Sequence, residues 1–220
     1  MEWYNLLVQN KDLIKIIYGA IISLICFTIV LKSDRLYRLS LHNGIRYFRN
    51  AFFFYSLAFV VRYILGYFFY SYGLTLLFEF FLITAGFFLL HSLLWKNFYY
   101  IEKPYLSSLF SPVTILFYLM AGLLVFLDYL WCFYLFLFLS QIFIFISASI
   151  ISYRNYISNR NKAFPRFYFL AMLLSLFAWI LNILAAMVFD WHKGIMINAY
   201  LLNIIVFILF LFGVIKIANR

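Results

Sequence analysis

Arg62 lies in the run YSLAFVVRYILGYFF, which holds no other charge. A guanidinium stays ionised at any physiological pH. Placing one near the middle of an apolar helix costs ~2.5–3.5 kcal/mol on insertion scales, so such a residue has a partner or a task. Five further polar residues interrupt apolar runs in the same way: Glu79, Gln141, Asn182, Asn198 and Asn203. Together they offer a cation whose fork of donors suits an anionic group, a carboxylate that could balance it or hold an amine, and amides for hydrogen bonding. That set can bind. It lacks the combinations that catalyse: there is no HExxH, no GxGD and no serine–histidine constellation. His42 and His192 fall in connections and His91 near an inner helix end, where it is expected to snorkel, so no histidine pair can clamp a haem. Cys26 and Cys132 form no metal motif and no expected disulfide. The chain is therefore read as non-enzymatic, with no metal and no cofactor.

The elements that hold these residues are set by composition. Of 220 residues, 68% are hydrophobic and 25% aromatic, more apolar surface than a water-soluble domain can hide. Runs of ~20 apolar residues span a bilayer as helices, and only helices satisfy their own backbone in hydrocarbon without strand alternation. The predicted fold is all-α, an integral membrane seven-helix bundle forming one domain over 1–220, with helices at about 13–32, 50–72, 74–95, 112–131, 133–152, 167–190 and 194–216. The first is read as a retained helix, because no small-x-small cleavage site follows it. The three prolines (Pro104, Pro112, Pro165) fall in connections or at helix entries, so the helices are expected to run without sharp kinks.

A net charge of +10 would suit nucleic acid if it were clustered, but it is partitioned. Lys32, Arg35, Arg38, Arg46 and Arg49 fall in the first connection. Lys96 and Lys103 fall in the third, and Arg154, Arg160, Lys162 and Arg166 in the fifth. Lys216 and Arg220 close the chain. Only Lys11, Lys15 and Lys193 fall on the other side, with Glu2, Asp12, Asp128 and Asp190. The positive-inside rule then places the N-terminus outside and the C-terminus in the cytoplasm, in a cell membrane. No nucleic-acid partner is expected. The expected partners are the bilayer itself, anionic inner-leaflet lipids and a cytoplasmic protein at the loops 32–50 and 152–167.

Spacing suggests a 3+1+3 parallel repeat with the fourth helix as linker. At a shift of 120 residues, Ala51 meets Ala171, Ala58 meets Ala178, Arg62 meets Asn182 and Gly66 meets Ala186. In this architecture, and in no motif, the chain resembles small seven-helix membrane proteins: 3+1+3 sugar transporters, microbial rhodopsins and seven-helix sensor modules. A retinal pigment is argued against, because the last helix carries only Lys216, at its inner end. A Pro-Gln loop transporter is argued against too, because the dipeptide is absent.

Helical faces refine the site. Ala58, Arg62 and Gly66 follow at i, i+4, so Arg62 is expected to face the bundle. Asn182 shares a stripe with Ala171, Ser175, Ala178 and Ala185. Thr75, Glu79 and Gly86 share a face, as do Gln141, Ala148 and Ser152. Counted from the outer ends, Arg62, Gln141, Asn182 and Asn203 lie ~12–15 Å deep at 1.5 Å per residue, with Glu79 and Asn198 shallower. Side chains lean towards their helix N-terminus, so Arg62 is expected to lean inward and Glu79 outward. That favours a network of Arg62, Asn182, Glu79 and tyrosine hydroxyls over a direct Arg62–Glu79 pair. The leading functional reading is a receptor- or sensor-type module. Its outward-facing polar pocket takes a small polar or anionic ligand, and it signals through a separate partner. The alternatives are a small-solute transporter using the same pocket, and a scaffold whose polar network only fixes helix register.

Overall fold

A computed structural model describes residues 11–69, 71–98, 109–131, 134–158, 163–188 and 193–218. The readings placed on Glu2, Lys103, Pro104, Cys132, Arg160, Lys162, Asp190, His192 and Arg220 lie outside them. Every predicted span is a helix: α1 (Lys11–Ser40), α2 (Asn43–Phe68), α3 (Tyr72–Phe98), α4 (Pro112–Trp131), α5 (Leu135–Ser158), α6 (Ala163–Met187) and α7 (Lys193–Ala218). All seven are long and apolar enough to cross a membrane, and the chain is a multi-pass membrane protein. Large apolar side chains such as Leu24, Leu119, Phe126 and Phe143 stand exposed around the outside, as lipid requires. Tyr47, Phe52, Ile83 and Phe88 fill the inside.

One expectation is corrected. The predicted loop 32–50 is helix except at Leu41 and His42, because its charged residues continue the helical run beyond the apolar stretch. Leu41 takes a left-handed conformation (φ 51°) and its N–H donates to the Tyr37 carbonyl (2.7 Å), ending α1 in a turn that glycine usually supplies. The Asp34 carboxylate ties the hairpin, accepting from Arg38 (2.9 Å) on its own helix and from Arg49 across the turn. The predicted loop 152–167 is likewise helical up to Ser158 and again from Ala163. Within α2 the helix is not uniform. Residues Val60–Leu65 form a π-helical turn in which the Gly66 N–H reaches the Val61 carbonyl, five residues back. Such a turn inserts a residue into the helix and often marks a functional position. Arg62 stands within it.

The helices close a ring in the order α1, α2, α3, α5, α6, α7 and back to α1, and α4 packs outside against α3 and α5. In α4's most apolar stretch only 17% of residues are buried, against 28–44% in the other helices. That is the place of a linker in a 3+1+3 plan. Of the residues paired by the 120-residue shift, Ala51, Ala58, Ala171 and Ala178 are buried, whereas Arg62 is exposed and Asn182 half-buried. The two seams between the triplets are each bridged by an amide. Gln141 Nε2 donates to the Leu82 carbonyl (3.3 Å) between α5 and α3. Asn203 Nδ2 donates to the Tyr18 hydroxyl (3.0 Å) between α7 and α1.

Asp128, read from sequence as one of the outer-side acids, caps α5. It is buried, and its two oxygens accept the backbone N–H groups of Phe136 (2.8 Å) and Leu137 (2.7 Å). These are among the donors that a helix start leaves without intrahelical partners. Asp128→Ala is expected to cost about 2–3 kcal/mol, since hydrogen bonds to a charged group are worth about 1.5–3 kcal/mol. The detergent-solubilised protein should then melt several degrees lower, and Asp128→Asn, which keeps one acceptor, should lose less. Unchanged melting of the alanine variant would remove this role.

Candidate functional site

Inside the ring is a cavity of about 840 Å³. All six ring helices line it, and no residue of α4 does. Its exposed lining residues, Arg62, Tyr67, Ser71 and Tyr72, put its mouth at the end of the bundle where α2 turns into α3, the end predicted to be outer. Lys15, Arg62, Ser71, Tyr72, Thr75 and Asn182 stand there. Arg62 is exposed to this opening. Its Nη1–H donates to Thr75 Oγ1 (2.9 Å), and its guanidinium carbon lies 5.6 Å from the centre of the Phe78 ring. Among the described residues it has no ion pair with a carboxylate.

Beneath the mouth, on the α1–α2–α7 side, is a cluster of tyrosines. Tyr18 stacks on Tyr200 (4.1 Å, 19°) and meets Tyr63 edge-on (5.1 Å). Phe59 stacks on Tyr63 (5.7 Å, 15°). Gly19 makes this possible: a Cβ at that position would collide with the Tyr63 side chain. The innermost lining residues are Phe52, Leu89, Phe145, Ser175 and Phe210, with Phe52 and Phe210 packed edge-on at 5.2 Å. Ser175 turns its hydroxyl onto the Ala171 carbonyl (2.7 Å), and Tyr55, also in the lining, carries a buried hydroxyl unpartnered among the described residues; the rest of the inner lining is apolar. No protein family, curated protein or solved structure matches the chain. What the site can do has to be argued from its geometry.

The six sequence candidates divide. Arg62, Asn182 and Asn203 line the cavity. Asn182 makes no hydrogen bond among the described residues, so its amide is available to an occupant, whereas Asn203 is held by Tyr18. Glu79, Gln141 and Asn198 are not in the lining. Glu79 is 2% exposed, with Oε2 unpartnered among the described residues, and feels both Asp128 and Arg62 electrostatically. Gln141 is fully buried between α5 and α3, where Gly86 leaves it room. Asn198 is exposed on α7.

The expected Arg62–Asn182–Glu79 network therefore does not form. On α3 the cavity face runs through Thr75, Phe78, Leu82 and Leu89, one helical face at spacings of three, four and seven. Thr75, Glu79 and Gly86 do share one face of this regular helix, but only Thr75, at its border, lines the cavity. The lean of Arg62 is corrected. The long side chain reaches towards Thr75, near the start of α3, and so outward rather than inward, as snorkelling side chains do. Ala58 is packed while Arg62 is exposed. Arg62 nonetheless faces the inside of the ring, as expected, lining the cavity together with Gly66. His91, expected to snorkel, is buried between the Tyr47 (4.4 Å) and Phe117 (5.4 Å) rings. Sequence reasoning missed the tyrosine cluster. With 19 tyrosines in the chain, no local signal separates these three from those at the bilayer interface.

Proposed function

We propose that this protein is a receptor- or sensor-type membrane module that accepts an anionic group at the Arg62 mouth, from the predicted outer side. It transmits occupancy to a separate partner on the basic segments 32–50 and 152–167. The observation that carries this reading is an arginine at the opening of a cavity with one hydroxyl as its hydrogen-bond partner. Its remaining donors are free for an oxyanion, with the Asn182 amide as a further donor. The apolar floor favours a sensor over a transporter, because a carrier needs a polar exit on the far side.

Cysteine accessibility tests it. In a Cys26→Ala, Cys132→Ser background, Ser71→Cys and Asn182→Cys are expected to react with a membrane-impermeant thiol reagent from the outer side. Phe145→Cys and Phe210→Cys should react from neither side. Millimolar acetate or phosphate should slow labelling at Asn182→Cys. If the inner positions became reactive when the anion is present, the transporter reading would replace this one. Failure of the two mouth positions to react would leave the polar residues as helix glue.

A further inference from the structure

The mouth accounts for only the upper part of the cavity. Thr75 and Leu89 both line it, and so do Tyr200 and Phe210; at 1.5 Å per residue these pairs span about 15–20 Å of depth. The hydrocarbon core of a bilayer is ~30 Å thick, so ~15 Å is the length of one leaflet's tails. Below Arg62 and Asn182 the walls are mostly apolar, with Phe59, Phe138, Trp179, Val206 and Phe207, and the floor is Phe52, Leu89, Phe145, Ser175 and Phe210. A buried water needs two to four polar partners, and this lower part offers two hydroxyls, Tyr55, unpartnered among the described residues, and Ser175, which is held by the Ala171 carbonyl. A small polar anion would occupy the mouth and leave the apolar volume empty. Among the described residues no carboxylate lines the cavity; Glu79, which interacts electrostatically with Arg62, is buried beside it on α3.

We infer that the ligand is a single-chain amphiphile, with an anionic head held by Arg62 and Asn182 and an aliphatic tail running down to the Phe52–Phe210 floor. The inference rests on the reading of Arg62 as an anion site and adds the tail. One leaflet of depth and a single cavity of about 840 Å³ suit one chain better than the paired tails of a bilayer lipid. Carboxylate and phosphate monoester heads share the required chemistry.

Trp179 in the wall supplies the probe. Bromine on an alkyl chain quenches tryptophan on contact. The whole protein, in zwitterionic nanodiscs, is titrated with stearic acid brominated at mid-chain. The same brominated chain is then offered as a phosphate monoester, an alcohol and a trimethylammonium. The Trp179-dependent part of the quenching, found by subtracting Trp179→Phe, is expected to saturate with one or both anionic probes. The alcohol and the cation should bind at least about tenfold more weakly. Arg62→Gln should reduce the anionic probes to the level of the alcohol. Unbrominated stearate should displace the probe and acetate should not. If Trp179→Phe does not fold, protection of Asn182→Cys by stearate at concentrations where acetate has no effect gives the same answer.

Equal quenching by all heads would mean a cavity merely open to bilayer chains, and would overturn the proposal. So would displacement by acetate as effective as by stearate. If acetate or phosphate protects Asn182→Cys while no brominated acid reaches Trp179, the tail site is wrong and the anion site stands. If neither happens, both fall.

Discussion

Gly19→Ala is expected to lower the melting temperature of the solubilised protein markedly, and Gly19→Leu to leave little folded protein to purify. A Cβ at this position has no space beside Tyr63, whose Cγ would lie 2.9 Å away. Tyr63 cannot easily withdraw. It is stacked on Phe59, edge-on to both Tyr18 and Tyr200, and its backbone belongs to the π-helical turn. Small residues let membrane helices approach closely, and filling such a contact typically costs about 1–3 kcal/mol, more where neighbours cannot yield. Alanine should fall in that range and leucine beyond it. Gly122 on α4 is the internal control. A Cβ there meets nothing within 4 Å, so Gly122→Leu should melt like the wild type. If Gly19→Ala melted like Gly122→Ala, the close approach of α1 to the π-helical turn would be wrong, and with it the shape of that wall of the cavity.

Reversing the charge at the mouth should separate binding from stability. Arg62→Glu is expected to weaken binding of an anionic amphiphile by at least a hundredfold while moving the melting temperature by no more than a few degrees. The binding loss comes from replacing an attraction with a repulsion at the head. Truncating one partner of a hydrogen-bonded charge pair already costs about 2–5 kcal/mol, and each 1.4 kcal/mol is a tenfold change. The small stability change comes from exposure: Arg62 gives up one hydrogen bond to Thr75 and its cover over Phe78. Arg62→Lys should fall between the two, since an ammonium keeps the charge and loses the planar fork. Labelling protection of Asn182→Cys reads the affinity, and thermal unfolding reads the fold. A large drop in melting temperature with binding retained would return Arg62 to the role of a structural clamp.

The sequence by itself determined the number and approximate position of the spans, because the length of an apolar run is a local property and the bilayer accepts little else. It also singled out Arg62 and Asn182, since a polar residue in an apolar run carries a cost wherever its helix ends up. Small residues at the shift of 120 were legible as packing positions for the same reason. Which polar residues share a space was decided only by the tertiary structure. A helical face turns by about 100° per residue, so one irregular turn redirects every later side chain on that helix. α2 carries such a turn at Val60–Leu65 with no proline to announce it. The order of the ring mattered as much. With α4 outside and α3 against α5, Gln141 meets Leu82 and closes a seam, while Glu79 is buried on the face beside the cavity. The tyrosines under the mouth and the apolar depth of the cavity exist only between helices far apart in the chain. No single stretch of residues carries either one.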